Sequence, residues 1–206
     1  MTSTPTAATA TVLGDDGLAR CPWAVEHPLS LAYHDTEWGL PVRGERALFE
    51  RITLEGFQAG LSWRTVLAKR PAFRAAFDDF DPEAVARYTD RDVERLLADP
   101  GIIRNRAKIE AARTNAAAVL RLREHGGLDR LVWSHRPPAG AAPLTPADVP
   151  TRTPASAALA ADLRAHGFRF VGPTGMSALM EATGMTDTHL LGCHRRGSSG
   201  PPPVDH

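Results

Sequence analysis

The chain is poor in cysteine, lysine and aromatic residues, and each scarcity excludes something. No apolar run reaches the roughly 18 residues that a membrane span needs. The opening stretch, MTSTPTAATATVLGDDGLAR, has neither the basic start nor the apolar core of a secretory signal, which predicts a cytoplasmic protein. Net charge is zero and the pI is about 7.1, so no overall basic field draws the chain to nucleic acid, although a local basic face is still permitted. Among 24 basic residues only Lys69 and Lys108 are lysines, an excess of arginine that reads as codon bias rather than selection for phosphate-binding forks. The 206 residues, 43% of them hydrophobic, suit one globular domain or two closely packed lobes. Residues 1–18, rich in small side chains, read as a disordered leader, and the Pro-rich 196–206 as a disordered tail.

What is present is helical. Residues 46–54 carry Leu48, Phe49, Ile52 and Leu54 at helical spacing. Asp81 before Pro82 and Glu83 predicts an N-cap, an N1 proline and a first-turn acid. Thr89 with Asp92 predicts a capping box for the helix bearing Val93, Leu96 and Leu97. A long helix is expected over 104–125, stopped by Gly126 and Gly127. Residues 134–150 read as a loop. Thr153 and Pro154 open another helix ending at His166 and Gly167, and a last one is expected over 177–183, before Gly184. No strand pattern is evident, so the fold class is all-α.

The two cysteines lie near opposite ends, each with a histidine at a metal-compatible distance: Cys21 with His34, and His189 with Cys193. The second pair is spaced i, i+4, which on a helical turn puts both side chains on one face. Cys2His2 is a closed, tetrahedral structural zinc set with no open catalytic position. In a reducing compartment two thiols serve more readily as ligands than as a disulfide. On spacing alone, zinc and a pair of buried thiols both remain open.

The blocks CPWA (21–24), LAYHDTEWGLP (31–41), LFERITLEGFQAGLSW (48–63), DPGIIRNRAKI (99–109), GFRFVGPT (167–174) and HLLGC (189–193) resemble, in order, those of the DNA-3-methyladenine glycosylase I family. The resemblance spans roughly residues 21–193. It implies a helix-hairpin-helix glycosylase fold over 19–195, with one structural Zn2+ on Cys21, His34, His189 and Cys193 joining the N- and C-terminal segments. It also implies a monomer acting on double-stranded DNA that contains an alkylated purine, with no obligate protein partner. The hairpin would lie in residues 170–176, where Gly172, Thr174 and Gly175 let the backbone approach a phosphate.

A base glycosylase flips its target out of the stack and holds it in a pocket. N3-methyladenine is cationic, so aromatic faces and a carboxylate suit it. The resemblance assigns stacking to Tyr33 and Trp63 and base reading to Glu55. Trp38, Trp23 and Ser30 are further pocket candidates. Two family tyrosines are replaced, by Ser30 and Ser177, which suggests a wider or wetter pocket. The family's Val-Asn-Asp-His is here Thr-Asp-Thr-His (186–189), which places Asp187 at the position of the wider superfamily's catalytic aspartate. A helix cap at Asp187 is the competing reading. No lysine lies near the hairpin, so Schiff-base strand cleavage is not expected. The resemblance thus predicts a monofunctional hydrolase of N3-methyladenine. A paralogue for bulkier alkylated purines and a silent binder of damaged DNA stand as alternatives.

Overall fold

Capping chemistry and apolar spacing make helices through most of residues 10–200, the part that the computed structural model describes. The helices are α1 (Pro22–Val25), α2 (Pro28–Thr36), α3 (Glu45–Gln58), α4 (Trp63–Ala76), α5 (Pro82–Ala86), α6 (Asp90–Ala98), α7 (Arg106–Leu122), α8 (Gly127–Ser134), α9 (Pro154–Ala165) and α10 (Pro173–Ala182). Asp81 caps α5 by accepting from the amides of Glu83 and Ala84, and Thr89 with Asp92 forms the expected capping box of α6. Asn105 and Thr153 cap α7 and α9 in the same way. The all-α expectation holds apart from one pair of two-residue strands, β1 (Val12–Leu13) and β2 (Ala19–Arg20), which run antiparallel.

The chain divides into two units. The first takes residues 1–41, 137–151 and 181–206 so far as they are described, and the second takes Val42–Arg136 and Arg152–Met180. In the second unit a row of phenylalanines forms the core. Phe57 meets Phe73 at 4.7 Å between ring centroids, Phe73 meets Phe77 at 5.9 Å, and Phe77 stacks on Phe80 at 5.7 Å. All four rings are fully buried, and each such side chain contributes about 1.5–3 kcal/mol of transfer free energy.

The first unit gathers remote pieces of chain. The amide of Ala10 donates to the Leu144 carbonyl, that of Leu191 to Pro143, and that of His194 to Ala19. Residues 10–18, expected within the leader, thus include β1 and a tie to residue 144, while residues 1–9 lie outside the described part. The tail expected from residue 196 is anchored at its start, where the Gly197 amide donates to Asp187 at 2.7 Å, and residues 201–206 lie outside the described part.

Three boundaries differ from expectation. Gly126 ends the long helix with φ +96°, after a tight 3-10 turn over Arg123–His125, but Gly127 then opens α8 rather than a loop. Burial of Leu128, Val132 and Trp133 drives that helix. The last helix starts at Pro173, four residues before its expected start, because proline has no amide hydrogen to lose at a first helical position. The expected hairpin 170–176 therefore narrows, and Thr174 and Gly175 belong to the first turn of α10.

The two lysines do work that suits a compact ammonium with three donors. Lys69 Nζ donates to the carbonyls of Pro100 and Gly101, at 2.9 and 3.2 Å. Lys108 Nζ donates to those of Phe57 and Ala59, at 2.9 and 2.6 Å, closing the C-terminus of α3 just before the turn that leads to Trp63. Burial holds the Lys108 amine below its usual range. Replacing Lys108 by Met keeps the stem but orphans both carbonyls. Denaturant unfolding is expected to show a loss of about 1–3 kcal/mol, and an unchanged midpoint would refute the cap.

Candidate functional site

In the first unit, α2 presents His34 and Tyr33 to the interior, and Cys21 occupies the N-cap of α1. The turn after α10 brings His189 and Cys193 to the same place. Cys193 Sγ lies 3.4 Å from His34 Nε2 and 3.6 Å from His189 Nδ1, and Cys21 Sγ lies 3.9 Å from His189 Nδ1. All four side chains are buried, and their ligand atoms lie within 4.8 Å of one another. Such a group can hold a metal ion. A hydrogen bond from Cys21, with help from both histidines, holds Cys193 well below the usual thiol range and leaves Cys21 above it.

A second layer orients these four. His34 Nδ1 lies 2.7 Å from Asp35 Oδ1, which leaves Nε2 to face the sulfur. Asp35 also accepts from Arg20 and lies 3.1 Å from His194 Nε2, while the rest of the Arg20 guanidinium grips Asp16. Burial pushes the Asp35 carboxyl up, but the bonds from Arg20, His34 and His194 outweigh it and hold the group well below the usual carboxylate range. His194 joins Asp35 beside the buried four, and His34, Asp35 and His194 form a second group whose ligand atoms lie within 4.8 Å of one another. At Gly39, φ is +80° and a Cβ would lie 2.7 Å from His189 Nε2, so only glycine lets the chain pass.

Aromatic rings surround the group. Trp38 is buried with its ring edge-on to His189 at 4.5 Å and stacked near His34 at 6.0 Å. It walls the Cys/His group on that side. Trp23 touches Trp38, His34 and Tyr33 at 5.0, 5.3 and 6.5 Å, so these rings form one cluster. Ser30 lies on α2 three residues before Tyr33, half-buried.

Asp187 is fully engaged. Its Oδ1 accepts from the His189 amide at 3.2 Å, and its Oδ2 accepts from the Gly197 amide and pairs with Arg196 Nε at 3.4 Å. Arg196 closes the loop by donating to the Asp187 and His189 carbonyls. The carboxylate thus braces the turn that presents His189, and among the described residues no helix starts there for it to cap.

In the second unit, α3 carries Glu55 at 6% exposure, the desolvated carboxylate that its apolar neighbours predict. Trp63 is half-buried at the first position of α4, where the Ser62 hydroxyl caps the helix by accepting from the Thr65 amide at 3.2 Å. The segment 166–172 links α9 to α10, and nothing lies within 4 Å of where a Cβ would stand on Gly172 or Gly175, so there is open space beside the backbone there. Ser177 is buried in α10. Arg20, Asp35 and Glu181 were not singled out in the sequence. The first two adjoin metal-ligand candidates, the one available signal, whereas Glu181 acquires its character only from burial.

The methyladenine glycosylase family matches residues 23–196. DNA-3-methyladenine glycosylase 1 of Escherichia coli (strain K12) is 47% identical over 180 residues, which cover 85% of this chain and 96% of that protein. A crystal structure of 3-methyladenine DNA glycosylase I superposes with a TM-score of 0.83 at 47% identity, over 86% of this chain and 99% of the other. A structure of 3-methyladenine DNA glycosylase I from Staphylococcus aureus, concerned with 3-methyladenine recognition, gives 0.81 at 35% identity, over 91% and 98%. A helical protein with a buried Cys2His2 group and a desolvated glutamate is the class this architecture defines. The chain belongs to the methyladenine glycosylase family.

Burial pushes the Glu181 carboxyl up to about 7, opposed in part by the Thr188 hydroxyl, which donates to it at 3.1 Å. The unfolded chain ionises at its ordinary 4.5, so the folded state binds more protons between these values and loses stability as pH rises through that window. Glu181→Gln is expected to abolish this decline, with a gain over the parent at pH 8 of at most about 3 kcal/mol. Unfolding curves from pH 4 to 8 check it, and parallel pH profiles for the two proteins would refute it.

Proposed function

We propose that this protein removes N3-methyladenine from DNA by hydrolysing the N-glycosidic bond of the flipped nucleotide. The observation that carries the reading is the buried carboxylate of Glu55 inside a motif block of a chain so similar to DNA-3-methyladenine glycosylase 1. The lesion is a cation that leaves as a neutral base, taking the electron pair of the glycosidic bond. Water then adds to the sugar cation and loses a proton to solvent. Little leaving-group activation is needed, so catalysis rests on recognising the cationic base and stabilising the charge that passes to the sugar. Glu55 supplies negative charge and accepts a purine amino hydrogen. Tyr33 and Trp63 supply aromatic faces, each good for about 0.5–2 kcal/mol with a cation. Asp187 is read as a support of His189.

The linker from α9 to α10, with its open glycines, is proposed as the helix-hairpin-helix grip on the DNA backbone, where phosphate would meet the amides that open α10. The chemistry of the donor set fits zinc: two sulfurs, His34 through Nε2 and His189 through Nδ1, closed and buried. The ion would be structural, and Asp35 its outer carboxylate, of the kind that fixes a histidine tautomer. Both lysine amines are held by pairs of carbonyls, which supports hydrolysis without strand cleavage. We read it as a monomer with no obligate protein partner that acts on DNA in the cytoplasm, as its likeness to DNA-3-methyladenine glycosylase 1 suggests.

Chromatography of the bases freed from methylated duplex DNA tests the reading. Free N3-methyladenine is expected, with N7-methylguanine and bulkier adducts in the same panel defining scope around Ser30 and Ser177. Glu55→Gln should slow release by about 100-fold or more. Lesion binding without any base release would instead identify a silent binder.

A further inference from the structure

Phe170 is a large aromatic side chain on a left-handed backbone, with φ +55°. Glycine adopts that conformation freely and phenylalanine does not, so surrounding structure must impose it. The residue is also 47% exposed, so deep burial is not what holds it there.

Two neighbours in the same unit hold this backbone. Asn115, 3% exposed in the middle of α7, uses both ends of its amide on Arg169. Its Oδ1 accepts from the Arg169 N–H at 2.7 Å, and its Nδ2 donates to the Arg169 carbonyl at 3.0 Å. That carbonyl belongs to the peptide plane preceding Phe170, so fixing it restricts the rotation that sets φ at residue 170. On the other side lies Gly56 of α3, where an added Cβ would sit 3.5 Å from the Phe170 Cβ and 3.7 Å from its carbonyl oxygen. Val171 is then buried, and Gly172 delivers the chain into α10 with its backbone in open space.

We propose that Asn115 is a positioning residue for DNA binding: by latching Arg169 it holds Phe170 left-handed and so sets the path of the hairpin that grips the backbone. The proposal rests on the reading of that hairpin as the DNA grip. A buried asparagine spent on one exposed turn is otherwise an expensive way to connect two helices, since its buried neighbours on α7, Ala111, Ala112, Ala116 and Val119, carry no polar side-chain group.

The latch makes an unusual demand of a double mutant. With glycine at residue 170 the left-handed turn needs no enforcement, so loss of Asn115 should become tolerable. The experiment measures anisotropy of a labelled duplex holding a stable abasic-site analogue, together with single-turnover release of N3-methyladenine at saturating enzyme. Circular dichroism confirms folding of every variant. Asn115→Ala is expected to raise the dissociation constant about tenfold, with a much smaller change in the saturated rate, and Phe170→Gly in the same chain should restore most of the affinity. Gly172→Asp, which puts a negative charge where phosphate would lie, tests the grip itself. If Gly172→Asp binds as tightly as the parent, the hairpin reading fails. If Gly172→Asp weakens binding while folded Asn115→Ala does not, or if Phe170→Gly rescues nothing, the latch alone is overturned.

Discussion

Four buried side chains, drawn from residues 21–34 and 189–193, converge on one point, and the first unit is arranged around that convergence. Its segments have little else in common. They are short, one is a proline-rich loop, and their helices α1 and α2 run only four and nine residues. Helices of that length do not hold themselves together in water. The group instead collects donors that are costly to bury separately and places them where each satisfies another. The same logic extends outward, as Asp35 orients His34, Arg20 orients Asp35, and Asp187 with Arg196 folds the turn that carries His189. A group of this kind can hold a metal ion, and the proposed structural zinc would take Asp35 as its outer carboxylate.

The second unit works differently. Its longer helices bury a phenylalanine row, and several of its buried polar groups have specific tasks. Lys108 closes α3, Asn115 latches the turn before α10, and Glu55 is kept desolvated on α3. These three lie on the two helices, α3 and α7, that also bear the family's sequence blocks or adjoin them. The proposed chemistry asks little of the protein beyond this: a negative group for a cationic base, aromatic faces and an open backbone for phosphate.

Much of this was legible in residue order because the signals are local. Asp81, Thr89 and Thr153 declare helix starts by hydrogen bonds that span only two or three residues. The Cys/His pairs and the blocks around Glu55 and Trp63 could likewise be read directly. What could not be read depends on contacts made by folding. Trp38 stands among pocket candidates in sequence, and only the fold shows its ring against the two histidines. Asp187 carries both a catalytic and a capping reading in sequence, and only the fold shows its oxygens held by Gly197, His189 and Arg196. Gly127 announces a stop and instead begins α8, because Leu128, Val132 and Trp133 find a core. Glu181 and Asn115 carry no motif at all, and only burial reveals them.

The convergence of the four ligands is the claim on which the account of the first unit stands, and metal removal tests it most directly. Elemental analysis of the purified protein, followed by hydrogen exchange before and after treatment with a strong chelator, is the measurement. One zinc per chain is predicted, and its removal should strip protection from amides in α2 and around residues 189–194 while the phenylalanine core of α3 and α4 keeps its own. A protein without metal, or one whose exchange pattern ignores the chelator, would contradict it.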